Sequence, residues 1–508
     1  MIDSGGGDAG PTQERDAGPP PPCTDGGNMV RCGTNCVDTS ADTRNCGGCG
    51  NPCDTGALCC DGVCVGTGSC SFAVTSVYPT TGWQNGGSWV TLEGAGFANG
   101  MKAFIADGRC PLRVVDPTKA IVQLPPGPLG KQDVRITAGA QTATLPKAFT
   151  YETGGLDLMW QQKPLAKVRG EDPGIAVMQD GRVLVAGGTT VPDAYAMSLD
   201  TAEIYDRTTD TVTPAGNAMS TPRWQNAAVT LLDGRVLVVG GACYSDLSAC
   251  VGNPQATDLF DPKTNTFSSG GPLALKRAYP RAVLLVDGRV FVSSAADPSV
   301  EIFDPTTNTF STVQHTVLHT WGFVVRLRDG RVLIGGGDGG NTAAEVFDGD
   351  TNTFTSVGPL AVGRSMLTAH TLPDGRVIVI GGASMSAGGV KDPLASMEVF
   401  DPGTNKFTTL PYALQTPRCW HASALVRDGT VLVMGGYTVS GKCDSSVASV
   451  EQVDPVAGTV MPFQMLLNTN TEWTAATLLD GSVLGVGGGA CGTTMALPDI
   501  DFLAGTPG

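Results

Sequence analysis

The sequence predicts an all-β chain in which most of the length forms seven repeated four-stranded sheets. Three observations lead there. First, an apolar run, an Asp-Gly pair and a second apolar run recur at Asp180-Gly181, Asp233-Gly234, Asp287-Gly288, Asp329-Gly330, Asp374-Gly375, Asp428-Gly429 and Asp480-Gly481. Residues 229–241, VTLLDGRVLVVGG, are the clearest copy. Asp-Gly between β-branched runs signals a hairpin, because Gly takes positive φ without steric cost. Second, these turns lie 42 to 54 residues apart, a period of propellers and solenoids. Third, a second hairpin follows in most repeats: DLFDPKTNTF (258–267), EIFDPTTNTF (301–310), EVFDGDTNTF (345–354) and EVFDPGTNKF (398–407), with EIYDRTTDTV (203–212) and EQVDPVAGTV (451–460) as weaker copies. Two hairpins make one antiparallel sheet, and a ring of such sheets is a β-propeller.

Five turns continue Gly-Arg-Val, through Arg182, Arg235, Arg289, Arg331 and Arg376, and most second strands end in Gly-Gly, with Ser293-Ser294 instead in repeat three. These residues resemble the kelch repeat family, most closely its DG-R-V variety, also seen in galactose and glyoxal oxidases. The resemblance covers about 155–508 and implies a seven-bladed kelch propeller over 154–508. The last repeat has only a weak third strand, PDIDFL (498–503), and no fourth, whereas LDLMWQQKPL (156–165) precedes the first repeat. Strand 156–163 is therefore expected to complete the last blade, which removes sheet edges that invite aggregation.

A net charge of −16 argues against nucleic acid, whose phosphates need basic surface. No apolar run approaches the roughly 18 residues of a membrane-spanning helix. The start, MIDSGGGDAG, has neither the basic nor the apolar region of a signal peptide. Sixteen cysteines nevertheless point to an oxidising compartment. A signal or lipoprotein segment is expected to be missing from the sequence, with the protein extracellular or on the outer cell surface. Residues 1–22 read as a Gly/Pro/Asp linker that cannot bury a core.

Residues 23–70 hold ten cysteines and few apolar residues, so cross-links must hold them together. The expected disulfide cysteines include Cys32, Cys36, Cys46, Cys49, Cys53, Cys59, Cys60 and Cys64, with connectivity open. Cys46-Gly-Gly-Cys49 also suits zinc, but no His is near and ten thiols exceed one or two tetrahedral sites. The pattern CGTNCVDTSADTRNCGGCGNPCDTGALCCDGVC resembles the stigma-specific cysteine-rich family and modules of myxobacterial secreted proteins. Residues 71–153 change character. VTSVYPTTGWQNGGSWVTLEGAGF (74–97) and QLPPGPLGKQDVRITAGAQTATLPKAFTY (123–151) give short strands with frequent turns, a small β-sandwich. They resemble the IPT/TIG immunoglobulin-like domain. Trp83 and Trp89 are read as core or turn-packing residues rather than adhesive aromatics.

In kelch-type blades, the segment entering the first strand and the loop after Gly-Gly share a face, opposite the Asp-Gly turns. Counting back from each turn Asp, one row holds Gly170, Arg223, Arg277, His319, Arg364, Arg418 and Asn470, and the next Asp172, Gln225, Tyr279, Trp321, Met366, Trp420 and Glu472. Trp224, His421 and Trp473 lie beside them. Aromatic faces with Arg forks suit sugars, carboxylates or a partner's side chains. The expected binding residues are Arg223, Trp224, Gln225, Arg277, Tyr279, His319, Trp321, Arg364, Arg418, Trp420, His421, Glu472 and Trp473. Packing between blades is the competing reading of each.

The oxidase resemblance carries a copper site needing a cross-linked Tyr, a Tyr followed by His, and a further His on an appended domain. In RCWHASALVRDG (418–429), His421 matches the family His, but Trp420 stands where the family has Tyr. Trp has no phenolate, so no copper cofactor and no catalytic residue are expected. His315 and His319 are four apart, but in a loop or strand rather than a helix, so no metal site is expected there. His370 reads as core. Asp206, Asp261, Asp304, Asp401 and Asp454 read as hairpin caps, and Asp348-Gly-Asp350 as a turn rather than a calcium loop. Among the propeller cysteines, Cys243 with Cys250 and Cys419 with Cys443 are the expected pairs. Cys110 and Cys491 have no obvious partner, and a bridge between them is a minority reading.

These readings lead to a non-catalytic surface binding or adhesion protein: a rod of linker, disulfide module, Ig-like spacer and propeller, whose collar face takes a glycan or protein partner. A carbohydrate-active enzyme using Glu472 and Asp172, and a self-associating sheath or filament subunit, are the alternatives.

Overall fold

The computed structural model describes residues 29–32, 35–39, 41–53, 55–60, 62–66, 71–154, 158–170, 172–190, 197–243, 255–294, 297–315, 317–337, 340–385, 391–439, 445–466, 471–489 and 499–505. Among them every regular element is a β-strand, and no helix is long and apolar enough to cross a membrane.

Repeats one to six each form a four-stranded antiparallel sheet with the strands in chain order, and repeat seven contributes three strands to a sheet of the same kind. In repeat two, Ala227–Thr230, Val236–Val239, Ala256–Asp261 and Thr266–Pro272 pair in turn. The second strand is buried along its whole length in repeat after repeat, as in Val236–Val239 and Val377–Ile380, because both sheet faces are covered. That is why these strands read as unbroken apolar runs rather than alternating ones. The fourth strands, such as Thr211–Pro214, are mostly exposed.

The cores lie between sheets. Leu184 and Ile204 of repeat one pack with Val236, Val238 and Phe260 of repeat two. Leu237 and Val239 pack with Val290, Val292 and Phe303, and Phe291 with Val332 and Phe347. The series runs on through repeats five and six to Val483 of repeat seven. It returns to its start where Leu478, Leu484 and Val486 meet Val183, Val185 and Tyr205 of repeat one. The first strands likewise neighbour one another around a closed ring.

The ring is sealed as the sequence predicts. Leu158–Pro164 pairs antiparallel with Asp499–Gly505, placing an N-terminal strand at the outer edge of the last sheet.

Residues 73–152 form a two-sheet sandwich, four strands against five, over a core of Leu92, Ile105, Val122, Val134 and Phe149. The expectation of a spacer in an extended rod is corrected here, since this domain docks onto the Asp-Gly-turn face. Arg109 N donates to Arg328 O at 2.7 Å and Leu112 N to Val286 O at 3.2 Å. Asp350 receives Lys102 at 2.9 Å and Arg109 at 2.8 Å, and its carboxyl is held down at about 2, first by Arg109. Trp83 lies under the Arg427 guanidinium, 5.3 Å from its ring centroid, and Trp89 packs on the core between repeats two and three.

The cysteine module carries the bridges Cys32–Cys49, Cys46–Cys59 and Cys53–Cys64, and Cys36 and Cys60 are also disulfide-bonded. Cys46 and Cys49 thus pair away from each other. Cys60 packs into the sandwich core, so the module is seated on its neighbour.

Candidate functional site

The arginine row resolves first. Arg223, Arg277, Arg364 and Arg418 are fully buried. Each guanidinium meets an acid on the third strand of its own repeat: Asp258 at 2.7 Å, Glu301 at 2.8 Å, Glu398 at 2.8 Å and Glu451 at 2.6 Å. Their other donors find carbonyls, as where Arg364 reaches Gly381 and Ser396. The acids also accept backbone N–H groups, as Glu398 does from Ala361 and Val362. Buried charges require such complete pairing. These four residues, expected to bind a ligand, are therefore corrected to internal struts.

Repeat one uses Arg169 with Glu203 at 3.0 Å. An extra residue in its entering segment put Gly170 in the row and hid that arginine. His319 takes the row's place in repeat four, also buried.

The next row behaves differently. Asp172, Gln225, Tyr279, Trp321, Met366 and Trp420 all have left-handed backbones, with φ between 39° and 58°. Adjacent members are tied by hydrogen bonds: Gln225 N to Asp172 O at 3.0 Å, Met366 N to Trp321 O at 2.8 Å and Trp420 N to Met366 O at 3.1 Å. Gly, Asn or Asp takes this conformation cheaply and a bulky side chain does not. Trp, Tyr and Met at such turns are not explained by turn chemistry alone. The Gly-Gly pairs secure the same rim: Gly241 N donates to Arg277 O at 2.9 Å. Its φ is +99°, and a Cβ there would meet Trp224 O at 2.6 Å.

The row's rings converge. Tyr279 lies 5.7 Å from Trp321 and 6.4 Å from Trp420, and the two tryptophans are 6.0 Å apart, edge to face. All three are half-buried. Trp224 is buried and backs Tyr279 at 6.2 Å, and Gln225 is buried as well.

Beside the rings is a cavity of about 210 Å³ lined by Asp172, Arg281, Met366, Trp420, His421 and Ser423, among others. Burial raises the Asp172 carboxyl above its usual range, against the pull of Arg281. Arg281 was not singled out from sequence. The signal was there: its row otherwise holds Gly174, Ala227, Phe323, Thr368, Ala422 and Thr474, so one charge stands among small or apolar residues. The side chains of Glu472 and Trp473 lie outside the described residues.

The other end of the channel, about 490 Å³, is lined by first strands of the repeats and covered by Asn85, Gly86, Gln123, Pro125 and Pro126 of the sandwich.

His421 Nε2 meets Thr368 Oγ1 at 3.0 Å, and burial pushes the imidazole down to about 3. His370, expected in the core, sits on a first strand beside the channel. It meets Ser423 Oγ at 2.6 Å and is lowered by burial to about 4. Both are neutral imidazoles. The residues do not fit a copper-radical centre: next to His421 stands an indole, which can neither ligate copper nor carry a phenoxyl radical.

The turn acids behave as hairpin caps: Asp206 accepts Thr208 N at 2.8 Å, Asp304 accepts Thr306 N at 2.8 Å, and Asp348 accepts Asp350 N at 2.9 Å.

Cys243 is disulfide-bonded, and its expected partner Cys250 lies outside the described residues. Cys419 is a buried thiol, not half of the expected bridge, and packs with Met366, Ala383 and Tyr437. Cys443 lies outside the described residues. Cys110 is also a buried thiol, pushed up to about 12 by burial, the free state that the sequence left open beside a bridge to Cys491.

No curated protein matches the chain. Among solved structures, a novel fungal alcohol oxidase with catalytic diversity among the AA5 family, in complex with copper, matches at TM-score 0.54 and 18% identity, covering 68% of this chain and 76% of that chain. The structure of YjhT matches at TM-score 0.45 and 16% identity, covering 59% of this chain and 99% of that chain. The first likeness is one of fold. Residues 73–151 match the IPT/TIG domain family and are an IPT/TIG domain.

Proposed function

We propose that the chain is a secreted or surface-held, non-catalytic binding protein, built on a seven-bladed kelch propeller whose collar recognises a glycan. The observation that carries this reading is the cluster of Tyr279, Trp321 and Trp420 on left-handed backbone. Strained backbone with bulky side chains persists where the surrounding structure over-determines it, and it gathers at functional sites. Aromatic faces beside a few polar groups suit a sugar ring, which has apolar C–H faces and hydroxyl edges. Asp172, Arg281 and Ser423 supply those polar groups. The cavity is below the roughly 300–1,000 Å³ of drug-sized sites, which suits one ring or a chain end. Oxidised cysteines support an extracellular setting.

The test is a glycan and polysaccharide array probed with the full chain, beside Trp321→Ala and Trp420→Ala. Binding lost in both folded variants supports the reading, and an empty array from wild type sinks it. An aromatic side chain of a partner protein is the second ligand class for the same rings. The raised Asp172 carboxyl favours a carbohydrate-active enzyme as a second reading, which release of reducing ends from a bound glycan would reveal.

A further inference from the structure

Repeat four breaks the ion-pair pattern of its neighbours. Glu345 faces Ile334 across the strand pair as Glu398 faces Val379 and Glu451 faces Val433. Glu203, Asp258, Glu301, Glu398 and Glu451 each meet a buried arginine. Glu345 is also enclosed, with 7% of its side chain exposed, and among the described residues it pairs with no Lys or Arg. It meets two histidines instead, His315 Nδ1 at 3.0 Å and His319 Nε2 at 3.5 Å.

The His319 tautomer is set from behind. Its Nδ1 lies 2.8 Å from Gly336 O, and a carbonyl only accepts, so Nδ1 carries the proton. Asn341 donates to the same carbonyl at 3.2 Å. The buried Nε2 lies 3.5 Å from a Glu345 carboxylate oxygen, outside hydrogen-bonding geometry. A carboxylate enclosed in this way needs a cation beside it.

We propose that His315 Nδ1, His319 Nε2 and Glu345 Oε2 are three ligands of a divalent-cation site, with zinc the best match, and that this ion does in repeat four what a buried arginine does elsewhere.

The three ligand atoms lie within 4.8 Å of one another. A tetrahedral ion with bonds of about 2.0–2.1 Å holds its ligand atoms roughly 3.3 Å apart, and the two measured separations bracket that value. Two imidazoles and one carboxylate are zinc chemistry, and the Gly336 carbonyl behind His319 is the outer-shell contact that orients a ligating imidazole. On binding, the proton that His315 Nδ1 now shares with Glu345 leaves that nitrogen and Nε2 carries the ring proton, so the ligand stays neutral. The ion would fasten the segment that carries His315 and His319 onto its sheet, two residues before Trp321 of the collar.

The experiment uses the untagged full chain with disulfides intact, stripped with EDTA and titrated with cobalt(II), then zinc. The expected result is one equivalent of cobalt per chain, with the visible bands of a four-coordinate ion that zinc abolishes. Zinc is also expected to raise the melting temperature over EDTA. His319→Gln and Glu345→Gln are expected to weaken cobalt binding by more than the roughly 10–100-fold that an outer-shell loss costs. His319→Arg recreates the neighbours' pattern and is expected to lose cobalt while keeping its fold and becoming indifferent to EDTA. No saturable cobalt spectrum in wild type, with melting unmoved by zinc, overturns the proposal. So do bands that survive in both glutamine variants.

Discussion

The backbone N–H of Trp420 donates to the carbonyl of Met366 at 3.1 Å, and both residues hold left-handed φ, +52° and +58°. The link joins repeat six to repeat five at the collar through main chain alone. Such bonds fix where each side chain of the row begins without dictating its chemistry. Behind the row, arginine–acid pairs hold the entering segments to their sheets. The collar is thus an anchored frame with variable side chains on it.

The anchors are expected to be unequal to surface pairs. Arg418→Ala leaves Glu451 buried without its cation, and removing one partner of a buried pair costs about 3–5 kcal/mol. Arg376→Ala breaks a pair whose side chains are 40% and 43% exposed, for which about 0–1 kcal/mol is expected. Thermal unfolding of the two variants side by side measures the contrast. Similar, small losses would mean that the buried arginines are not the struts described.

The sandwich is expected to stay docked because Asp350 gathers both Lys102 and Arg109. Asp350→Ala removes the acceptor for two cations at once. Hydrogen exchange at the amides of Arg109 and Leu112, which donate into repeats four and three, is expected to rise, while exchange in second strands such as Val377–Ile380 stays slow. Unchanged exchange at both amides would assign the docking to the remaining contacts, among them Trp89 on the core and Arg427 over Trp83.

Much of this architecture is legible in the sequence, and the reason is physical. Asp-Gly turns, Gly-Gly stops and buried second strands are local, repeated signals, and the pairing of Leu158–Pro164 with Asp499–Gly505 follows from counting strands. The collar is only half legible. Position in the repeat brings Tyr279, Trp321 and Trp420 to one rim, yet it cannot separate them from Arg364 or Arg418 next door. Whether such a residue faces a channel or an acid depends on a third strand some 24 to 35 residues away, as with Arg277 and Glu301 or Arg223 and Asp258. Glu345 beside His315 and His319 escaped for the same reason. The docking of the sandwich had no sequence signal, since Lys102, Arg109 and Asp350 look like ordinary surface charges.

Acid is expected to destabilise the ring through its neutral imidazoles. His421 and His370 are lowered by burial to about 3 and about 4, below the roughly 6.5 of an unfolded histidine. Between those values the unfolded chain binds more protons than the folded one, so stability rises with pH. The contribution is fully present above about pH 6.5 and is lost as pH falls toward the folded values, on the order of a few kcal/mol for the pair. Unfolding midpoints from pH 7 to pH 4 should fall less steeply in His370→Asn than in wild type. Parallel slopes would show that His370 does not titrate in this way.

Closure by an N-terminal strand carries its own expectation. Deleting residues 158–164 leaves Asp499–Gly505 as an unpaired edge on the last sheet, and exposed edges promote association between chains. A lower melting temperature with aggregates on sizing is expected. A monomer of unchanged melting temperature would show that the last sheet stands without its fourth strand.

The most direct test of the collar as a binding site is isothermal titration of the full chain with the best glycan from an array. Tyr279→Ala and Trp420→Ala would be run beside Arg376→Ala, which lies on the opposite face. The account predicts binding by wild type and Arg376→Ala and a loss of at least about tenfold in each aromatic variant, the scale of an anchor residue worth more than 1 kcal/mol, with circular dichroism unchanged. Equal affinity in all four proteins would contradict it.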